Sequence, residues 1–195
     1  LSGNTGGQVE FNRPNSFSGG LVLNSPMTFL FGHDLAPGRG LFSILPTNSS
    51  PTLYPGAGSG TRTITNSVFL NGPVSFGFSG AAQFTFTGPV ELRGPTPMTL
   101  AAGVETTFTG PITNISGGSI TKLGPGTLVL SGTNTIPNGV VVSNGTLALG
   151  AYEAAGRGRI DFRGGSGSTM SLRAHGGPRI LRNNSAVYDD LIIGG

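Results

Sequence analysis

The chain has 195 residues, of which 36% are hydrophobic and only 10% charged, with a formal net charge of +3. Its 35 glycines and 14 prolines leave scarcely a window of about twelve residues without a helix breaker, and an interior proline alone costs a helix about 3 kcal/mol, so helical folds are nearly excluded. There is no cysteine, which removes disulfides, thiolate zinc sites and thiol nucleophiles, and no stretch approaches the roughly eighteen apolar residues of a membrane helix.

In chain order, the region from Phe31 to Arg62 is interrupted by Pro37, Pro46, Pro51 and Pro55 and by the run from Gly56 to Gly60. Alternation survives there only over Leu41 to Leu45. Residues 31–62 are therefore expected to form a loop insertion projecting from one coil. From Ser67 onward, short segments alternate with Gly, Pro or Asn turns: Ser67 to Leu70, Val74 to Phe78, Gln83 to Thr87, Val90 to Arg93, Met98 to Leu100, Glu105 to Thr109 and Ile112 to Ile115. In Gln83 to Thr87 the two phenylalanines share one face and the polar residues the other, the period of two expected of a half-buried strand. Thr127 to Leu130 and Gly139 to Val142 are apolar on both faces, which predicts that they are sandwiched or lie against a neighbouring chain. The best helical candidate left, Ala151 to Ala155, is one turn long.

A tripeptide of Phe, Leu or Ile, then Ser or Thr, then Gly punctuates these segments. It starts at Leu1, Phe17, Phe78, Phe86, Phe108, Ile115 and Leu130, and the copies at Phe86, Phe108 and Leu130 are spaced by 22 residues. Each copy reads as a strand end, with a buried apolar residue, a hydroxyl on the other face and a Gly to turn the chain. Internal repetition at this period predicts a solenoid: an all-β, parallel β-helix with coils of roughly 22 residues, residues 1–195 forming a single β-solenoid. An antiparallel sandwich would give equally short strands, but its two-residue hairpin signals are few, Asn71-Gly72 and Asn144-Gly145 being the plain ones.

At residues 119–150 the chain reads SITKLGPGTLVLSGTNTIPNGVVVSNGTLALG. This resembles the autotransporter-associated β-strand repeat, or passenger-associated transport repeat, at Lys122, Gly124, Gly126-Thr127-Leu128, Leu130-Ser131-Gly132, Asn134-Thr135 and Gly145-Thr146-Leu147. Ile136 stands where an aromatic is common, and Asn138 where the first of two glycines is usual. A weaker copy runs through Val9-Glu10-Phe11 and Asn15 to Leu23, aligning with Leu128 to Leu130 and Asn134 to Val142. The resemblance implies a right-handed β-helix in a bacterial cell-surface passenger, chiefly structural in role, with no catalytic residues to transfer.

Ten of the eleven basic residues are Arg. Six of them, Arg157, Arg159, Arg163, Arg173, Arg179 and Arg182, fall in the last forty residues, with Asp161 the only acid between the first and last. They form either a patch for anionic glycans or a solvated arginine face on alternate strand positions. A nucleic-acid platform is not expected, since Phe162 is the one aromatic interleaved among them.

Paired carboxylates for glycoside chemistry are not evident: Asp189-Asp190 are adjacent and would point to opposite faces of a strand, while Glu91 and Glu105 stand alone. His33 and His175 are too few for a zinc site unless acids complete it. The run from Gly56 to Thr61 lacks the Lys of a phosphate loop. No catalytic, cofactor or metal residues are expected, and no enzymatic activity.

The sequence therefore predicts a structural β-solenoid subunit of an extracellular fibre or surface stalk, partnered by further copies of itself. The alternative is an adhesin that grips surface glycans with the 31–62 insertion or the arginine face. Reading Leu191-Ile192-Ile193-Gly194-Gly195 into Leu1-Ser2-Gly3 continues the repeat. Head-to-tail stacking through Leu1, Val9, Phe11, Leu191, Ile192 and Ile193 is thus the expected assembly.

Overall fold

A computed structural model describes residues 7–46, 49–56, 60–77 and 83–194. Its described residues form strands and turns, with no helix, coiled into a β-solenoid of about eight turns. The strands in chain order begin with β1 (Gln8–Phe11), β2 (Leu21–Leu23), β3 (Thr28–Phe31), β4 (Phe42–Ile44), β5 (Thr52–Pro55), β6 (Thr61–Ile64) and β7 (Val68–Leu70). They continue with β8 (Val74–Phe76), β9 (Gln83–Phe86), β10 (Val90–Leu92), β11 (Pro95–Leu100), β12 (Glu105–Phe108), β13 (Ile112–Asn114) and β14 (Ser119–Leu123). The last are β15 (Thr127–Leu130), β16 (Val140–Val142), β17 (Gly145–Leu149), β18 (Ile160–Phe162), β19 (Met170–Ala174), β20 (Ser185–Val187) and β21 (Leu191–Gly194).

Three parallel sheets line the solenoid. The first runs β1-β3-β5-β8-β11-β14-β16-β18-β20, the second β2-β4-β7-β10-β13 and the third β6-β9-β12-β15-β17-β19-β21. Strands within each sheet stack in parallel on those of neighbouring coils, so side chains of one parity stack in interior columns. Phe86, Phe108 and Leu130 form one such column in register, extended by Ile64 and Leu149. All five are buried, and the Phe86 and Phe108 rings stack with centroids 4.9 Å apart and planes 12° from parallel. Such an aromatic pair contributes about 0.5–1.5 kcal/mol beyond the area it buries.

The 22-residue tripeptides close each coil at one edge, but their glycines do more than turn the chain. Gly110 does not have positive φ. A Cβ there would fall on the carbonyl oxygen of Gly88, one at Gly88 on that of Asn66, and one at Gly132 on that of Gly110. Stacked corners approach too closely for any side chain.

Residues 31–62, expected as a loop outside the solenoid, instead supply coil strands, and that expectation is corrected. In β4, Phe42 and Ile44 pair in register with Leu21 and Leu23 on one side and Val68 and Leu70 on the other. Strand β5 lies between β3 and β8. The prolines are compatible with this because they sit at corners or strand ends: Pro46 follows β4, Pro51 precedes β5 and Pro55 ends it. Strands of three or four residues are also too short to show a clear alternation. Residues 57–59 of the glycine-rich run, with Leu1 and Phe78, lie outside the described residues. The one-turn helix candidate at Ala151 to Ala155 is a hydrogen-bonded turn.

The doubly apolar strand β15 has its outer residue covered by this chain's own arm. Val129 and Ala148 are neighbours in the outward column of the third sheet, followed by Arg173. From there the Arg173 guanidinium reaches the Glu105 carboxylate at 3.3 Å, three coils away. Its aliphatic stem shields the small apolar residues it crosses, and both are fully buried.

Candidate functional site

Among the described residues the interior holds one cation. Lys122 occupies a core column between Met98 and Val142 and is fully buried. Its Nζ bends to the corner and donates to the backbone carbonyls of Leu123 at 3.1 Å, Gly124 at 2.6 Å and Asn144 at 2.9 Å. Burial pushes its amine down to about 7. The three carbonyls engage all of its donors, so this lysine ties two coils together and presents nothing to solvent.

The six C-terminal arginines do not form one patch. Arg159 and Arg163 flank Asp161 on the outer face of the first sheet, and both donate to it and to the Tyr188 hydroxyl. Hydrogen bonding from Arg159 is the main cause that holds the Asp161 carboxyl below its ordinary range, and the same bond raises Arg159. Arg173 lies on the third sheet, paired with Glu105. Arg179 donates to the carbonyls of Gly150 and His175 at 2.8 and 3.0 Å. Arg157 and Arg182 share a cleft, of about 460 Å³, with Tyr152, Glu153, Ile180 and Asn183.

That cleft is built on a corner that occurs twice. Asn134 Nδ2 donates to Ala154 O and its backbone N–H to Glu153 O at 3.1 Å. Asn15 makes the equivalent bonds, Nδ2 to Ala36 O at 2.8 Å and N–H to Leu35 O at 3.1 Å. In each copy a Gly-Arg-Gly follows, Gly38-Arg39-Gly40 or Gly156-Arg157-Gly158, whose first glycine has φ of +76° or +69°. An asparagine of the next coil then clamps both glycine carbonyls, Asn66 at 3.2 and 2.7 Å and Asn183 at 2.9 and 2.7 Å. The arginine at the apex is left exposed each time. The asparagine corner of the weak N-terminal copy is thus matched, while the strands aligned around it are not, β1 and β2 lying in the first and second sheets and β15 and β16 in the third and first. Its continuation through the Gly-Arg-Gly corners went unseen, although that tripeptide occurs at these two places alone.

The two corners lie on different edges of the solenoid, since Gly38-Arg39-Gly40 leads into β4 of the second sheet and Gly156-Arg157-Gly158 into β18 of the first. The edge of Gly38 and Gly40 passes through Asn66, Gly88, Gly110 and Gly132, whereas Gly156 stacks on Ile136, four residues further along that coil than Gly132. The Arg39 corner also opens a cleft, of about 490 Å³, lined by Leu35, Thr65, Asn66 and Ser67. On the Arg39 edge Thr65, Thr87, Thr109 and Ser131 occupy equivalent positions, each directly after the in-register Ile64, Phe86, Phe108 and Leu130.

At the coil carrying β20 and β21, interior columns end in exposed apolar residues. Val187 follows Phe162, and Ile193 follows Leu172, in inward register, yet they are 54% and 75% exposed. Leu191 is half-buried on the same face as Ile193, whereas Ile192 pairs with Ser171 on the outer face. At the other end Val9 and Phe11 are half-buried, and Phe11 stacks on Phe31 at 5.8 Å.

Residues 120–149 match the model of the passenger-associated-transport-repeat family. They span β14 to β17, from the Lys122 tie through the Asn134 clamp. No curated protein and no solved structure matches the chain.

Proposed function

We propose that this chain, which carries a passenger-associated transport repeat, is a non-enzymatic structural segment of an extracellular bacterial passenger. Its task is to hold a rigid parallel β-solenoid away from the cell surface and to stack coil on coil with further solenoid units. The observation that carries the stacking is the open end of the core: Val187, Leu191 and Ile193 continue interior columns, yet Val187 and Ile193 are exposed and Leu191 only half-buried. Beside them, among the described residues, β20 and β21 each pair with one strand. A parallel coil laid on this end would satisfy the free backbone groups and bury the three side chains at once. In a solution of this chain alone, the coil comes from the β1 end of a second copy, whose Val9 and Phe11 have the matching inward parity. The contact is heterologous and does not close, so it propagates.

Sedimentation velocity over a concentration series tests this. Growth into polymers is expected, lost in Leu191→Lys/Ile193→Lys but kept in Ile192→Lys, whose side chain leaves the column. A wild-type chain that stays monomeric at high concentration, or polymers unaffected by the double substitution, refutes the stacking.

A further inference from the structure

We infer that the cleft lined by Tyr152, Arg157 and Arg182 binds a single sugar residue carrying one carboxylate, of the uronic-acid class. Four of the six C-terminal arginines are already engaged, Arg159 and Arg163 by Asp161, Arg173 by Glu105 and Arg179 by main-chain carbonyls. The two left over, Arg157 and Arg182, line this one cleft. Arg157 has a side chain 86% exposed and meets Glu153 only at 3.8 Å, an exposed pair that holds it weakly. Among the described residues Arg182 makes no ion pair. Two guanidiniums against one carboxylate leave the cleft one positive charge in excess. Their forked N–H donors suit a carboxylate in shape as well as in charge.

Both walls are fixed before any ligand arrives. The turn carrying Tyr152, Glu153 and Arg157 is held by Asn134 Nδ2 on Ala154 O and by the Gly156 N–H on Glu153 O at 2.9 Å. The facing wall, which carries Ile180 and Arg182, is tied to it by the Asn183 bonds to Gly156 O and Gly158 O and anchored by Arg179 on Gly150 O. A preformed cleft spares a small ligand an ordering cost that would offset its few contacts. Tyr152 is 63% exposed and Ile180 61%, an apolar platform for the C–H face of a pyranose that a bare anion has no means to use. The Glu153 carboxylate beside them accepts hydroxyl hydrogens and repels a second negative charge, which favours a singly charged sugar over a polyanion. A volume of about 460 Å³ lies within the range of small-ligand clefts.

Isothermal titration calorimetry of the full chain with a disaccharide of glucuronic acid and glucose tests this. Cellobiose is the neutral counterpart, sodium sulfate the bare anion, and a capped glycine-glutamate-glycine peptide the carboxylate without a sugar. The acidic disaccharide is expected to bind, and each of the three others to bind more weakly by about tenfold or more. Arg157→Gln/Arg182→Gln is expected to weaken the disaccharide by about tenfold or more, and Tyr152→Ala to weaken it while leaving sulfate unchanged. Arg39→Gln, in the cleft on the other edge, is expected to have no effect. Circular dichroism checks that each variant is folded, and the ligand comparisons on wild type stand whatever a variant does to folding. The proposal is overturned if the acidic disaccharide does not bind, if cellobiose, sulfate or the peptide binds as tightly, if a folded Tyr152→Ala binds it unchanged, or if Arg39→Gln weakens it as much as the double substitution.

Discussion

Lys122 offers the sharpest test of how the core is held together, because its burial predicts both a sign and a pH window. Its amine is displaced from an ordinary value near 10.5 to about 7 by burial. Below pH 7 the group carries its proton folded or unfolded, and the folded state bears the cost of burying the charge. Between pH 7 and about 10.4 only the unfolded chain keeps the proton, so unfolding takes one up and stability rises with pH. Above that window the amine is neutral in both states and the slope vanishes. Three and a half pH units at about 1.4 kcal/mol each give an increase on the order of 5 kcal/mol. The three carbonyl acceptors oppose this, since only the ammonium has three hydrogens to give, so 5 kcal/mol is an upper bound.

Lys122→Met retains the volume and removes the titration. It also leaves the carbonyls of Leu123, Gly124 and Asn144 unpaired at every pH, a constant loss of about 1–3 kcal/mol for each buried group. Urea denaturation of both proteins from pH 6 to pH 10.5 separates the two effects, because the remaining titrating groups are common and cancel in the difference. Wild type should be the more stable protein, and its advantage should widen as pH rises through 7 to 10. A difference that stays flat across that window would show that the carbonyls hold the amine charged and that burial does not govern its titration.

Other substitutions probe the stacking itself. Phe108→Asp puts an unpaired charge between Phe86 and Leu130 and should lower the denaturation free energy by about 4 kcal/mol or more; an unchanged melting temperature would refute the column. Gly110→Ala should cost about 2–3 kcal/mol through its collision with the Gly88 carbonyl, whereas Gly19→Ala, with no atom near its Cβ, should stay within about 0.5 kcal/mol of wild type. Asn134→Ala strands Ile112 N–H and Ala154 O, which Asn134 serves at 2.7 and 2.5 Å. It should cost about 2–4 kcal/mol in a denaturant titration, and equal stability with wild type would mean that the clamp is dispensable.

The stacked core was legible because Phe86, Phe108 and Leu130 recur at a fixed period and each precedes a hydroxyl and a glycine. Residues 31–62 were misread because their strands are three or four residues long and bounded by prolines, so composition resembles a loop while register does not. Register depends on β2 and β7, which lie outside the segment. The arginines looked like one patch because proximity in sequence says nothing about which sheet a residue joins. Arg159 and Arg173 are fourteen residues apart in the chain, yet they stand on different sheets.

In a solenoid each coil touches only its neighbours, so two copies of a module can exchange packing residues without consequence elsewhere. Phe17 is replaced by Ile136, Leu21 by Val140 and Leu23 by Val142 between the two copies here. What both copies keep is what the backbone demands: an asparagine to feed a carbonyl of the next coil, and a glycine that takes positive φ. The apex arginine answers no such demand. Lys, Gln or Ser would leave every hydrogen bond of the corner intact, since the clamp is made by Asn66 or Asn183 and by main-chain carbonyls. Its presence at both corners, exposed and facing an open cleft each time, is therefore a property of the surface and not of the fold.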